Sequence, residues 1–125
     1  MVDALQYLTL TRPGITYAVN LISQFMHASR TTNLLAVKRI FKYLQSTLDH
    51  DMWLKLMPKA TCIVAYSHAD WAGCSDNSHL TTSFVVFLGP NLVSWKSKKQ
   101  HTVFKSSAEA EYHGIAYTIQ DTLHI

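Results

Sequence analysis

The run Thr61-Cys62-Ile63-Val64-Ala65-Tyr66 limits what this chain can become more than any other stretch. It is β-branched and aromatic, and too short for a helix, so it reads as a strand. Its near-continuous apolar character predicts burial on both faces, as at the centre of a sheet. Residues 67–79 then turn rich in Ser, Asp, Asn and Gly and read as a loop. Thr82-Ser83-Phe84-Val85-Val86-Phe87-Leu88 is a second strand, Gly89-Pro90-Asn91 a turn, and Leu92-Val93-Ser94-Trp95 a third strand. The last two strands form a hairpin. A basic run, Lys96-Ser97-Lys98-Lys99-Gln100, closes it.

Helical periodicity frames these strands. Leu5 to Leu10 is a short apolar segment that ends or bends before Arg12-Pro13. Pro13 suits the first turn of a helix, where its missing N–H is not needed. Ile15, Ala18, Val19, Ile22, Phe25 and Met26 follow at helical spacing. Residues 28–33 read as a linker with capping residues. A second helix places Val37, Ile40, Phe41, Leu44 and Leu48 on one face, and the two helices are expected to pair antiparallel. A last helix starts at Ser106 or Ser107, because Ser106-Ser107-Ala108-Glu109 fits a capping box. Ala108, Tyr112, Ile115, Ile119 and Leu123 form its apolar stripe.

A length of 125 residues, 48% of them hydrophobic, with mean hydropathy near zero, describes one globular domain or one and a piece. No apolar run approaches the roughly 20 residues of a membrane span. The opening Met-Val-Asp-Ala-Leu-Gln has neither a signal peptide's regions nor a transit peptide's arginines, so the expectation is an intracellular protein of cytoplasm, nucleus or mitochondrion. Cys62 and Cys74 lack Cys-x-x-Cys spacing, which argues against a disulfide framework, and Cys62 reads as a small core residue. A net charge of +3 is a mild hint of an anionic partner.

Only eight side chains are acidic, so each can be weighed for chemistry. Glu109 and Glu111 are the only glutamates. Two residues apart means about 200° around a helix axis, so they cannot share one ligand position. Glu109 is occupied by the capping box; Glu111 is either a solvated carboxylate or the one that faces the sheet. Asp70 lies just past the first strand, where such sheets tend to place their sites, and Asp76 reads as a turn residue. A site for two Mg²⁺ ions needs several converging carboxylates, because these hard ions want oxygen ligands. Asp70 with Glu111 is too few, and His68 offers a nitrogen. His68, Asp70, Cys74 and His79 could be considered for zinc, but their spacing matches no strong zinc pattern. A Ser/His/Asp relay, a phosphate-binding glycine loop and a dinucleotide fingerprint are all missing. Lys38, Arg39 and Lys42 on one helical face, and Lys98 and Lys99 beside Trp95, could grip phosphates or simply be solvated. Trp95 reads as core in preference to a base-stacking platform.

Several of these segments together carry a family resemblance. Tyr7-Leu8-Thr9-Leu10-Thr11-Arg12-Pro13, Ala36-Val37-Lys38-Arg39-Ile40, Ala69-Asp70-Trp71-Ala72-Gly73, Phe87-Leu88-Gly89, Ser94-Trp95, Ser97-Lys98-Lys99-Gln100 and Ser106-Ser107-Ala108-Glu109-Ala110-Glu111-Tyr112 occur in order. The series resembles the Pol polyprotein of copia-type LTR retrotransposons, from the end of the reverse transcriptase into the RNase H domain. The resemblance implies an α/β chain. Residues 1–50 would be a helical tail of the polymerase. Residues 51–125 would be a partial RNase H-like domain of three antiparallel strands plus a helix.

In the family this domain cuts the RNA strand of an RNA–DNA hybrid, using carboxylates and two Mg²⁺ ions. The first catalytic aspartate of the family falls on His68 here. Glu111, in Glu111-Tyr112-His113-Gly114, inherits the second catalytic position, with Asp70 as a vestigial neighbour at the metal. The next acidic motif would lie beyond Ile125. The family's Arg-Pro-Asp stands here as Arg12-Pro13-Gly14 and its Arg-Arg-Ser-Thr as Ser78-His79-Leu80-Thr81, while Ser46, Asp51 and Ser83 replace family glycines. The expectation is therefore a degenerate copy that neither binds Mg²⁺ nor cleaves. Two alternatives stand beside it. One is a residual nucleic-acid-binding module using Lys38, Arg39, Lys42, Lys98 and Lys99. The other is an unselected structural or interaction fragment whose open sheet edge self-associates.

Overall fold

The computed structural model describes residues 2–25, 31–57, 59, 62–70 and 80–124. It divides into two compact units, residues 1–53 and 54–125.

The first unit is helical. The Leu5–Leu10 segment belongs mostly to a helix, α1 (Val2–Leu8), and a 3₁₀ turn at Pro13–Ile15 leads into α2 (Thr16–Gln24). Pro13 sits where the turn has no need of its N–H. The next helix, α3 (Thr31–Ser46), takes in Thr31, Thr32 and Asn33, which sequence reasoning assigns to a linker; the linker's Ala28, Ser29 and Arg30 lie outside the described residues, as does Met26. The core is Leu5, Ile15, Val19, Ile22, Val37 and Ile40, with Val2, Ala18, Ala36 and Leu44 packed against it. Phe25, Phe41 and Leu48, assigned to the same apolar faces by periodicity, are exposed. Leu48 lies beyond the last turn of α3 and so cannot hold its face. Arg12 ties the unit together, its guanidinium donating to Thr47 Oγ1 at 3.0 Å and to the Leu48 carbonyl at 3.5 Å.

The second unit is an antiparallel three-stranded sheet and one helix, in strand order β1-β2-β3. β1 (Ile63–Asp70) pairs with β2 (Thr81–Leu88), which pairs with β3 (Asn91–Lys99). Among the described residues β2 is the central strand and β1 an edge, and Ile63 is 54% and Tyr66 62% exposed, so the expected burial of β1 on both faces does not hold. Cys62, just before it, is exposed for the same reason and is not a core residue. β1 also runs further than its apolar stretch, taking in Ser67, His68, Ala69 and Asp70, which continue the ladder through Asp70↔Thr81. Of the loop expected over residues 67–79, residues 71–79 lie outside the described residues.

The basic run continues β3 instead of following it, because the ladder extends to Thr81↔Lys99. Trp95, opposite Val85, is half-buried. The hairpin turns at Gly89, whose φ of 57° is the left-handed region that favours glycine, and the Gly89 N–H donates to the Cys62 carbonyl at 2.8 Å. Ahead of the sheet, residues 54–57 form no regular element, but Asn91 holds Lys55 like a ladder partner. Its side-chain carbonyl accepts from the Lys55 N–H at 2.7 Å, and its amide donates to the Lys55 carbonyl at 2.8 Å.

The final helix, α4 (Ser107–Thr122), starts at the capping box. Glu109 N–H donates to Ser106 Oγ at 3.2 Å, and the Glu109 carboxylate accepts from the Lys105 N–H at 3.0 Å. The face α4 buries is Ala110, Gly114 and Thr118, not the stripe of large residues. Tyr112, Ile115, Ile119 and Leu123 are all exposed. Residues four apart share a helix face, and here the small ones meet the sheet, because they let the helix backbone come close. Ala69, Leu80, Phe104 and Ala110 form the buried cluster at one end of this contact, and Thr82, Phe84 and Val86 of β2 are buried along it.

Candidate functional site

The small face of α4 sets the geometry of the site. A Cβ on Gly114 would lie 3.4 Å from Thr82 Cγ2 and 3.8 Å from Ala69 Cβ, so helix and sheet are in near contact there. Glu111 follows Ala110 by one residue, about 100° around the axis, which carries it to the outer side of β1. Its Oε1 accepts the Ala69 backbone N–H at 3.4 Å and lies 4.0 Å from His68 Nδ1. The first is a long hydrogen bond. The second is an ion pair only when the imidazole is protonated. His68 and Glu111 side chains are 74% and 45% exposed, so the pair faces solvent at the rim of the sheet.

The structure thus brings two of the three candidate residues of the catalytic and metal positions together. Asp70 is the last residue of β1, one ladder row past Ala69 and opposite Thr81, not beyond the strand as its sequence position suggests. Strand alternation puts it on the same side of the sheet as His68. Asp76, Cys74 and His79 lie outside the described residues. Among the described residues, no three His, Cys, Asp or Glu side chains converge as they would around an ion.

On the opposite flank of α4 lies a cluster that sequence reasoning missed. Lys96 and Lys98 share a face of β3, and their Nζ atoms stand 5.6 and 5.7 Å from the centre of the Tyr117 ring. Asp121, one turn beyond Tyr117, is 3.6 Å from Lys96. Hydrogen bonding to Tyr117, outweighing the opposing effect of burial, and the neighbouring charges of Tyr117 and Asp121 raise the Lys96 ammonium above its ordinary value. The signal was present as Lys-x-Lys at strand spacing against Tyr-x-x-x-Asp at helical spacing. Lys99, next along, belongs to the other face of β3. In the first unit Lys38, Arg39 and Lys42 are exposed along α3, and a cleft of about 210 Å³ is lined by residues that include Arg12, Tyr43, His50 and Asp51.

Comparison with known proteins adds a lineage to this geometry. Neither a family model nor a solved structure matches the chain. Secreted RxLR effector protein 161 of Plasmopara viticola is 38% identical over 123 residues, 98% of this chain and 86% of that protein. An uncharacterised mitochondrial protein of Arabidopsis thaliana is 43% identical over 118 residues, 94% of this chain and 49% of that protein. The retrovirus-related Pol polyprotein from transposon RE1 of the same plant is 48% identical over 118 residues, again 94% of this chain but 8% of that protein. The chain belongs to the copia-type retrotransposon Pol family. It spans about a twelfth of the RE1 polyprotein and about half of the mitochondrial relative. Among the described residues of this Pol-family chain, no helix is long and apolar enough to cross a membrane.

Proposed function

We propose that the chain is a segment of a reverse transcriptase/RNase H polyprotein whose second unit has an RNase H-like fold and no longer cleaves RNA. The observation that carries this reading is the approach of Glu111 Oε1 to within 4.0 Å of His68 Nδ1. A glutamate on the helix and a residue on the first strand meet, as the family's first two catalytic positions would require, but the strand residue is an imidazole. The donor set does not fit Mg²⁺. The ion takes oxygen ligands in near-octahedral order, and one carboxylate partly engaged by a backbone N–H, beside a nitrogen ligand, offers too little. The ancestral reaction, cleavage of the RNA strand of an RNA–DNA hybrid during reverse transcription, thus loses the group that would hold the metal.

Incubating the purified chain with a labelled RNA–DNA hybrid in Mg²⁺ or Mn²⁺ should leave the RNA intact. Divalent-dependent cleavage that disappears in Glu111→Ala would overturn the proposal.

A residual, sequence-independent hold on nucleic acid is the second reading, favoured by the paired ammonium groups of Lys96 and Lys98 around an aromatic ring. Hybrid binding should weaken steeply with salt. Replacing Lys98 and Lys99 by alanine should reduce it, and Lys38, Arg39 and Lys42 in the first unit should contribute separately. Salt-insensitive binding, or binding unchanged by Lys98→Ala with Lys99→Ala, would remove this reading.

A further inference from the structure

We propose that Asp121 is a built-in competitor for a phosphate site on the flank of α4. Its carboxylate occupies Lys96, and a backbone phosphate of a nucleic acid takes its place between Lys96 and Lys98.

The site has donors and an anchor. Lys96 and Lys98 are two residues apart on β3, so their side chains leave the same face about 6.5–7 Å apart along the strand. Both ammonium groups converge on one ring, at 5.6 and 5.7 Å from the centre of Tyr117, within reach of a cation–π contact. The ring is itself held, because the buried Phe84 meets it edge-on with the centres 6.1 Å apart. The lysines are thus drawn towards a fixed point, and less side-chain freedom is lost when an anion arrives. Ammonium groups only donate, and a phenol O–H can donate, so the ligand that suits all three is an anion with several acceptor oxygens. A phosphate is such a group. Engaged by Phe84 and by two cations, the ring serves as an anchor for charge and not as a stacking platform for a base.

Asp121 shows that the place already takes an anion. It lies one turn after Tyr117 on α4, 3.6 Å from Lys96. A carboxylate in the last turn of a helix meets the negative end of the dipole, and α4 has no basic residue in that turn to offset it. Its counter-ion comes from the strand instead. Both side chains of the pair are partly exposed, so the contact is weak enough to exchange. A phosphate that engages Lys96 must displace Asp121, and it then lies beside the carboxylate's uncompensated charge. Both effects oppose binding, and both vanish when the carboxylate is neutralised. Asp121 can matter in this way only if the chain holds nucleic acid through phosphates, the second reading of its function.

Fluorescence anisotropy of the full chain with a labelled DNA duplex, titrated at several salt concentrations, tests this. Asp121→Asn should tighten binding by about two- to fivefold at low salt. Lys98→Met should weaken it and flatten the salt dependence by about one released counter-ion. Loss of any negative charge strengthens attraction to DNA somewhat, so the decisive comparison is a double-mutant cycle. In a Lys96→Met background Asp121→Asn should lose most of its gain, because no ammonium is left for it to release. Circular dichroism checks that each variant folds, and if Lys96→Met does not, Lys96→Gln serves. An equal gain in both backgrounds, or no gain from Asp121→Asn in a chain whose binding falls steeply with salt, would overturn the inference and leave the nucleic-acid reading standing. Absence of salt-dependent binding by the parent and Asp121→Asn alike would overturn both.

Discussion

The carboxylate of Glu111 accepts the backbone N–H of Ala69 across 3.4 Å, joining the first turns of α4 to an edge strand that no other strand supports on that side among the described residues. At this length and exposure it is worth less than a typical hydrogen bond to a charged group. Glu111→Ala should destabilise the chain by about 0.5–1 kcal/mol. Urea melts followed by circular dichroism measure this, and an unchanged midpoint would mean that the contact contributes nothing.

Restoring a carboxylate at position 68 should have the opposite signature with and without metal. His68→Asp sets two negative charges near one another at the sheet rim, so without divalent ions it should lower the melting temperature. Millimolar Mg²⁺ should then raise the melting temperature of His68→Asp, because an ion bound only by the folded state stabilises it, while the unaltered chain should not respond. Equal responses in differential scanning fluorimetry would count against the geometry.

Two glycines make contrasting predictions. Gly114 lies in a helix with room for one methyl group at 3.4 Å from Thr82 Cγ2, so Gly114→Ala should be neutral or gain up to about 1 kcal/mol from helix propensity. Gly114→Leu should push α4 off the sheet and cost about 2–3 kcal/mol. Gly89→Ala meets both a positive φ and the Met57 sulfur 2.5 Å from the new Cβ, and should cost roughly 1–2 kcal/mol. Chemical denaturation of the three variants ranks them.

Lys96 gives a pH dependence whose sign follows from its raised value. A lysine held above its ordinary 10.5 by Tyr117 and Asp121 stabilises the fold wherever the unfolded chain is already protonated. The contribution is therefore fully present below about pH 10 and is lost as pH rises through the raised folded value. With the lysine side chain 48% exposed, the pair is worth roughly 0.3–0.5 kcal/mol. Lys96→Met should lose this much at neutral pH, less in high salt, and the gap from the parent should close in strong alkali. A gap that persists there would point to packing of the lysine stem instead.

Much of the architecture was legible because its signals are local. The capping box at Ser106, the turn at Gly89 and the helical spacing of Ile15, Val19 and Ile22 depend on near neighbours alone. The order of strands does not. An apolar run such as Ile63-Val64-Ala65-Tyr66 looks the same whether other strands flank it on both sides or on one. The buried face of α4 departs from its hydropathy pattern for a different reason. Hydropathy favours Tyr112, Ile115 and Ile119, whereas close approach to a sheet selects small size, and Ala110, Gly114 and Thr118 score poorly as apolar residues. In the site, the resemblance carried His68 and Glu111, and the structure shows them adjacent. The Lys96–Tyr117–Asp121 cluster joins strand to helix across a loop: the spacings Lys96-x-Lys98 and Tyr117-x-x-x-Asp121 each place their residues on one face of an element, but neither spacing says that the two faces meet.

Because Gly114 brings α4 against Thr82 and Ala69 through backbone proximity, the place where Glu111 meets β1 is independent of which side chain occupies position 68. Histidine and aspartate codons differ only in their first base. The distance between the present chain and one with a carboxylate at that rim is therefore a single point mutation, and the frame that would receive it is already built.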